Sequence, residues 1–492
     1  MEEKRPNQGF GADVLKLLSG TTLGQLVAFA ATPIIVRIFS PAAFGELAIF
    51  AAISGIFTVV ACLRYELAIM LPESEEEAAG LVGASVIFAC LVGTISLPVV
   101  LLLKPLMSSL LPADTNVLYL VPLAVTSAGV GLALNYWNSR KRRYACLSLT
   151  RVLNLSSCAG MQVAGGIAGF TTSLGLIVPR VIAQCIATGV LIVRTLYSDW
   201  RPLWRGMSVR NIVNGVVRHR KFFYLNTAAG LLNYASWQLP ILLLALFFSK
   251  EVAGYYALGD MVLRVPLNLL GSSLSQVFYQ RASIVARDPQ QLARIVESVY
   301  GRLVATSLVP LLLVTLTGPQ LFEFCFGHEW ITAGVYAQIL AVWVFFWFTA
   351  SPMGQIFSVM ERQETTLRFN ALIFFTRILA LGVGSYFFHS VPIALGLFAV
   401  SGIVAYGAFG WKILIEAGVT RAAIRHHVAS NLLVALPAVA AIWIVQLLSD
   451  SSSVLLAAAA IILAVHLVTL VRRDNYLRGL VRRFQPRRWA TR

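Results

Sequence analysis

Four ionisable side chains fall inside long apolar runs, where such groups are costly and rarely idle. Arg264 lies at the centre of the run 252–276. Asp260 sits four residues before it, one helical turn away on the same face. Arg377 is central in 369–388, and Arg180 is about a third of the way into 174–194. A charge at mid-bilayer costs roughly 2.5–3.5 kcal/mol, so three arginines cost ~7–10 kcal/mol and the one aspartate neutralises only one of them. Helix packing does not require that surplus of positive charge. An anionic ligand does, and a pyrophosphate suits the forked donors of guanidinium. The competing readings are local: Asp260 and Arg264 as a structural i,i+4 pair, Arg377 bonded to backbone carbonyls, Arg180 paired with a polar neighbour.

Further candidates sit at the ends of the runs. Arg64, in the sequence Arg64-Tyr65-Glu66, marks the inner end of the second run, as a headgroup entry point or an interfacial anchor. Arg37 marks the outer end of the first, as an exit point or a boundary charge. Gln25 shares a helical face with Thr21 and Thr32, and Asn233 shares one with Asn226 and Trp237. Such polar faces line a cavity or hold helices together. Pro33 and Pro240 interrupt the same two runs, and each permits a bend. Arg151 and Arg302, close to the inner surface, are expected to snorkel.

Other chemistries find no support. There is no GxxxxGK[ST] loop and no HExxH pair, and the histidines lack metal-site spacing. His328-Glu329-Trp330 reads as an interfacial tryptophan with polar neighbours, and Glu75-Glu76-Glu77 as an acidic helix start. The six cysteines are scattered without a CxxC pair, so neither a disulfide framework nor zinc is expected. The chain is expected not to be an enzyme and to need no cofactor or metal.

The elements that position these residues follow from composition. Of 492 residues, 58% are hydrophobic and only 12% charged, against about 25% charged in soluble domains. Mean hydropathy is +0.76. Runs of about 20 apolar residues cross a bilayer as helices. Fourteen are predicted, at 14–36, 43–64, 80–103, 116–138, 149–169, 174–194, 222–247, 252–276, 298–317, 334–358, 369–388, 392–414, 429–448 and 453–471. The polar N-terminus and long first run argue against a cleaved signal peptide. With the termini inside, 29 Lys and Arg fall in inner segments and 3 in outer ones, which orients the chain with both termini cytoplasmic. The net charge of +17 is therefore read as topology, not as a nucleic-acid surface. The basic tail is expected to lie on anionic lipid. The longest outer loop is expected at 318–333.

An internal repeat is visible. FSPAAFGELA at 39–48 aligns without gaps on FSKEVAGYYA at 248–257, matching Phe39 with Phe248, Ser40 with Ser249, Gly45 with Gly254 and Ala48 with Ala257. Both join the first two helices of a six-helix half. The expected organisation is an N-terminal six-helix bundle (1–194), a basic cytoplasmic linker (195–221), a second six-helix bundle (222–414), two additional transmembrane helices (415–471) and a basic cytoplasmic tail (472–492). Transporters built from repeats hold substrate at the repeat interface.

The stretches LGQLVAFAATPIIVRIFSPAAFGELAIF and LRYELAIMLPESEEEA resemble the polysaccharide transporter branch of the MOP superfamily, which includes Wzx-type O-antigen and exopolysaccharide flippases. FEFCFGHEWITAGVYAQIL is similar to that family's outer loop before its tenth helix. The resemblance implies an all-α polytopic fold, two six-helix bundles in a V with two extra C-terminal helices. It implies a flippase moving undecaprenyl-pyrophosphate-linked oligosaccharide from the inner to the outer leaflet of a bacterial inner membrane. It also implies cationic cavity residues, with Arg264 and Arg64 on the comparable helices. Alternatives are a lipid-linked peptidoglycan precursor flippase, a MATE-like multidrug exporter and, from another class, a membrane glycan ligase or polymerase. The exporter needs an acidic cavity, and the enzymes usually need a sizeable outer domain. Expected partners are the lipid-linked substrate, membrane lipids, and polysaccharide polymerase or glycosyltransferase enzymes, with no nucleic acid. Proton or sodium coupling stays open, with Asp260 the group to carry it.

Overall fold

Capping residues set where several helices begin. Ser40 accepts a hydrogen bond from the Ala43 amide and is followed by Pro41 at the first helical position. Ser208 and Thr420 cap in the same way. Asp288 accepts from the amides of Gln290 and Gln291. A computed structural model of the chain describes residues 24–103, 115–220, 222–285, 288–360, 362–449 and 451–473. Thr21, Lys104 and the tail beyond 473 lie outside the described residues.

Among the described residues the architecture is helical, with no strand. The helices are α1 (Gly24–Ile38), α2 (Pro41–Ala61), α3 (Tyr65–Ala68), α4 (Glu75–Leu103), α5 (Leu120–Arg140), α6 (Tyr144–Ile167), α7 (Leu174–Gly206), α8 (Val209–Arg218), α9 (Ala228–Phe247), α10 (Lys250–Ile284), α11 (Pro289–Phe326), α12 (Ile331–Ala350), α13 (Ile356–Val359), α14 (Gln363–Tyr386), α15 (Val391–Glu416), α16 (Arg421–Leu448) and α17 (Ser452–Arg473). Each of the fourteen predicted runs overlaps a helix. Eleven segments of the described chain are long and apolar enough to cross a membrane. The described part of α1 is shorter. The other two runs, on α6 and α10, carry Arg151, Asn154 and Gln162, and Asp260 and Arg264. The protein is a multi-pass membrane protein.

Two connections differ from the sequence expectation. The basic stretch 195–221 is largely helical, formed by the end of α7 and by α8. A kink at Asp199, φ −133°, redirects the chain before Pro202. The expected outer loop 318–333 is mostly helix as well. α11 continues to Phe326, Gly327 turns at φ 106°, and a 3-10 turn spans His328–Trp330. Trp330 is 1% exposed, so it is a core residue and not an interfacial anchor. His328 pairs with Glu323.

The chain divides into two compact units, Met1–Ala257 and Leu258–Arg492, with the boundary inside α10. In the first unit, Tyr65, Ile69, Leu81 and Trp137 form one core cluster and Phe50, Val121 and Ile177 belong to another. The repeat seen in the sequence becomes a contact here. A Cβ on Gly45 would lie 1.8 Å from the Lys250 carbonyl oxygen, and one on Gly254 would lie 2.0 Å from the Pro41 carbonyl oxygen. Pro41 and Lys250 occupy equivalent repeat positions, so the contact is reciprocal. Only glycine lets α2 and the start of α10 approach this closely. Lys250 adds a hydrogen-bonded ion pair to Glu46 at 2.7 Å.

In the second unit, Trp343, Phe398, Tyr406 and Phe409 fill the space among α12, α14 and α15. Phe369 stacks on Phe409, with centroids 3.8 Å apart. Val309, Leu313, Ala435, Ile442 and Leu455 join α16 and α17 to α11.

Candidate functional site

In the second unit the structure brings together Asp260, Arg264 and Arg377. One turn of α10 sets Asp260 and Arg264 side by side, and their side chains form an ion pair. The Asp260 side chain is 7% exposed and that of Arg264 23%. Asp260 Oδ1 has no hydrogen-bond partner among the described residues. Arg377 arrives from α14 and is buried. Its guanidinium lies over the rings of Trp343 and Phe398, 5.6 and 5.5 Å from their centroids. Those two rings meet edge to face, centroids 5.4 Å apart. Arg377 also lies within electrostatic reach of Tyr406 and Asp260.

The arrangement has a clear charge balance: two guanidiniums share one carboxylate. The ring faces offer Arg377 a negative quadrupole, which stabilises a cation without adding an acid. These guanidiniums stand in a low-dielectric setting, where attraction for an anion is strongest. Arg264 keeps partial exposure, although its Nε is buried.

Arg64 forms a second site in the first unit. It follows α2 in the left-handed region, φ 64°, directly after Leu63 at φ 49°. Two consecutive non-glycine residues in this region store strain of order 1–3 kcal/mol each. The turn directs the Arg64 guanidinium onto α9, where a Cβ on Gly230 would lie 2.0 Å from Nη2. Glu66, 2% exposed, stands 3.7 Å from Arg64 Nη1. Neither Arg64 Nε nor Glu66 Oε2 has a hydrogen-bond partner among the described residues. Tyr65, between them, donates to the Val216 carbonyl at 3.3 Å and stacks on Phe88.

The remaining candidates lie in the first unit. Arg180 is exposed on α7, within electrostatic reach of Tyr234 and Cys158. Tyr234 packs against Gly55 and donates to the Ala51 carbonyl at 3.4 Å. Arg37 is exposed at the end of α1, Gln25 is half-buried on α1, and Asn233 is exposed on α9. Thr32 is buried and donates to the Ala28 carbonyl at 3.0 Å, a bond within its own helix.

Sequence reasoning missed a third charged group. Asp199 is 5% exposed and receives both Arg143 terminal nitrogens, at 2.6 and 2.8 Å, and Trp137 Nε1 at 2.9 Å. Beside it, Asn138 donates to Thr195 at 2.8 Å. A signal existed: Asp199 is the lone acid between Asp114 and Glu251. The aromatic box around Arg377 was also missed, although the run VWVFFWF at 342–348 carries one of its walls. Among the described residues no three His, Cys, Asp or Glu side chains are grouped to hold a metal.

Comparison with known proteins places this geometry in context. Residues 34–334, well over half of the chain, match the family described as "Polysaccharide biosynthesis protein". No curated protein matches in sequence. Among solved structures, the lipid II flippase MurJ in an inward closed conformation superposes with a TM-score of 0.71 at 10% identity, over 94% of this chain and 99% of that one. A point mutant of the Vibrio cholerae MATE transporter VcmN gives 0.52 at 18% identity, over 82% and 95%. The eukaryotic MATE transporter AtDTX14 gives 0.52 at 12% identity, over 83% and 100%. These likenesses show that the chain shares the fold of those transporters.

Proposed function

Since the chain belongs to the polysaccharide biosynthesis protein family, we propose that it is a flippase for pyrophosphate-linked oligosaccharide, such as an O-antigen or exopolysaccharide repeat unit. The cargo moves from the cytoplasmic to the outer leaflet of a bacterial inner membrane, with both chain termini cytoplasmic. The observation that carries this reading is the group of Arg264, Arg377 and Asp260, two guanidiniums beside one carboxylate.

A pyrophosphate leaving the aqueous headgroup layer loses hydration and needs donors that stay charged. Guanidinium supplies forked N–H donors and does not lose its proton. Arg264, partly exposed, makes first contact, and Arg377 adds field from behind its aromatic wall. Asp260 holds Arg264 while the site is empty and competes with the phosphate for it once cargo arrives, which keeps the cargo from binding too tightly to leave. The polyprenyl tail stays in lipid. Arg64, strained and poised by Glu66, serves as the inner collecting point, and Arg37 as the outer release point. Arg180, Gln25 and Asn233 are assigned to the path between. Two repeated bundles, 1–194 and 222–414, alternate access, the basic segment 195–221 linking them. The reciprocal glycines support such a repeat. A membrane potential negative inside favours expulsion: a headgroup of charge near −2 gains about 4–5 kcal/mol per 100 mV.

The name of the lipid II flippase supports a lipid-linked cargo, and a peptidoglycan precursor remains the alternative cargo. Two guanidiniums beside one carboxylate argue against export of cationic drugs. The test is glycan export in a flippase-deleted host: Arg264→Ala abolishes export and Arg264→Lys retains part of it. Wild-type export by the alanine variant removes Arg264 from the mechanism.

A further inference from the structure

We propose that the stretch of α10 immediately after Arg264 forms a subsite for the sugar attached directly to the pyrophosphate, a neutral hexosyl ring. The inference rests on the reading of Arg264 and Arg377 as the phosphate site.

Asp260, Arg264, Asn268, Gly271 and Ser275 recur every three or four residues, so they share one face of α10. Beyond Arg264 the same helix, from Leu267 to Ser275, lines a cavity of about 230 Å³ between α10 and the end of α12 with the turn Ser351–Gln355. Its polar lining is Asn268, Ser275, Ser351 and Gln355, and its rings are Trp347 and Phe348. None of the described residues lining it is charged. Gly271 permits this shape: a Cβ there would lie 3.2 Å from the Phe348 ring. Ser275 donates to the Pro352 carbonyl at 3.2 Å and ties the turn to α10. Pro266, directly before Leu267 of the lining, removes the helical bond to the Val262 carbonyl and allows α10 to bend there.

The lining selects among ligands. An acyl chain has no use for two carboxamides and two hydroxyls. A second phosphate would need a cation. A sugar uses both parts: vicinal hydroxyls pair with side-chain amides, which donate and accept, and its C–H faces stack on aromatic rings. The size agrees, since pockets for drug-sized ligands run to roughly 300–1,000 Å³ and this one takes a single ring. The spacing agrees too. Four residues of helix separate Arg264 from Asn268 by about 6 Å of rise, the reach from an anomeric phosphate to its ring. Asn268 and Gln355 are exposed, so both are available to a ligand and neither supports the core.

The test measures binding to the full chain in lipid nanodiscs, with farnesyl pyrophosphate and its N-acetylglucosaminyl conjugate as probes. The conjugate is expected to bind wild-type protein about tenfold tighter. Asn268→Leu and Gln355→Leu should each remove most of that advantage, with farnesyl pyrophosphate affinity and the thermal midpoint unchanged. Arg264→Ala should weaken both probes alike. A conjugate with no advantage, or an advantage that survives in both leucine variants, overturns the subsite while leaving the phosphate reading intact. Should farnesyl pyrophosphate not bind at all, the phosphate reading falls. A conjugate that then binds and is weakened by Asn268→Leu upholds the sugar contact, and one that does not bind overturns it.

Discussion

Replacing Arg264 separates a structural arginine from one that handles cargo. The Asp260 side chain is 7% exposed and its ion-pair partner is Arg264. Arg264→Ala strands a buried carboxylate, and breaking a buried pair in this way costs ~3–5 kcal/mol. Arg377 remains within electrostatic reach of Asp260, so the lower end, about 3 kcal/mol, is expected. Adding Asp260→Asn removes the stranded charge and should restore stability to within ~1 kcal/mol, since an asparagine of the same shape needs no counter-ion. Export should not follow stability. The double variant is expected to fold like wild type and still fail to export glycan, because the cargo's donor is gone. Thermal midpoints of purified protein and surface glycan in a flippase-deleted host read the two effects separately. Wild-type export by the double variant would show that Arg264 serves only to neutralise Asp260.

Three further outcomes are expected. Gly45→Ala and Gly254→Ala should each lower the yield of folded protein sharply, because the new methyl would meet the Lys250 or Pro41 carbonyl; folded yields matching Ala48→Gly would refute the close crossing. Asp199→Ala leaves Arg143 and Trp137 without their buried acceptor and should destabilise the first unit by about 3 kcal/mol, with Asp199→Asn costing less since it keeps the acceptor for Trp137; equal losses in thermal unfolding would contradict this. The backbone amide of Gln291, with that of Gln290, holds the Asp288 carboxylate below its usual range, so the cap on α11 contributes stability above the unfolded pKa and loses it as pH falls through the folded pKa; hydrogen exchange of the first turn of α11 should rise in acid, and an Asp288→Ala protein should lack that dependence.

Much of the fold was legible because bilayer physics writes long apolar runs into a sequence. The runs around Pro41–Ala61 and Val391–Glu416 needed little more than length and hydropathy. What failed was the end of a helix. Nothing in the hydropathy of 318–326 distinguishes loop from continued helix, and α11 simply extends to Gly327. Likewise α7 passes beyond its apolar run because Asp199 finds Arg143 and Trp137, partners 56 and 62 residues away. The i,i+4 pairing of Asp260 and Arg264 was legible since one helix contains both. The approach of Arg377 was not, because it depends on how α14 packs against Trp343 and Phe398. Arg64 was legible as a charge at a helix end, but its left-handed backbone and its contact with Gly230 were not.

Direct binding tests the central claim best. Native mass spectrometry of the solubilised chain with undecaprenyl pyrophosphate should show a complex with wild-type protein and with Arg180→Ala. A double variant, Arg264→Ala/Arg377→Ala, built on Asp260→Asn so that no buried carboxylate is stranded, should lose it. Retention of the pyrophosphate lipid at wild-type affinity by that double variant would contradict a guanidinium-based site.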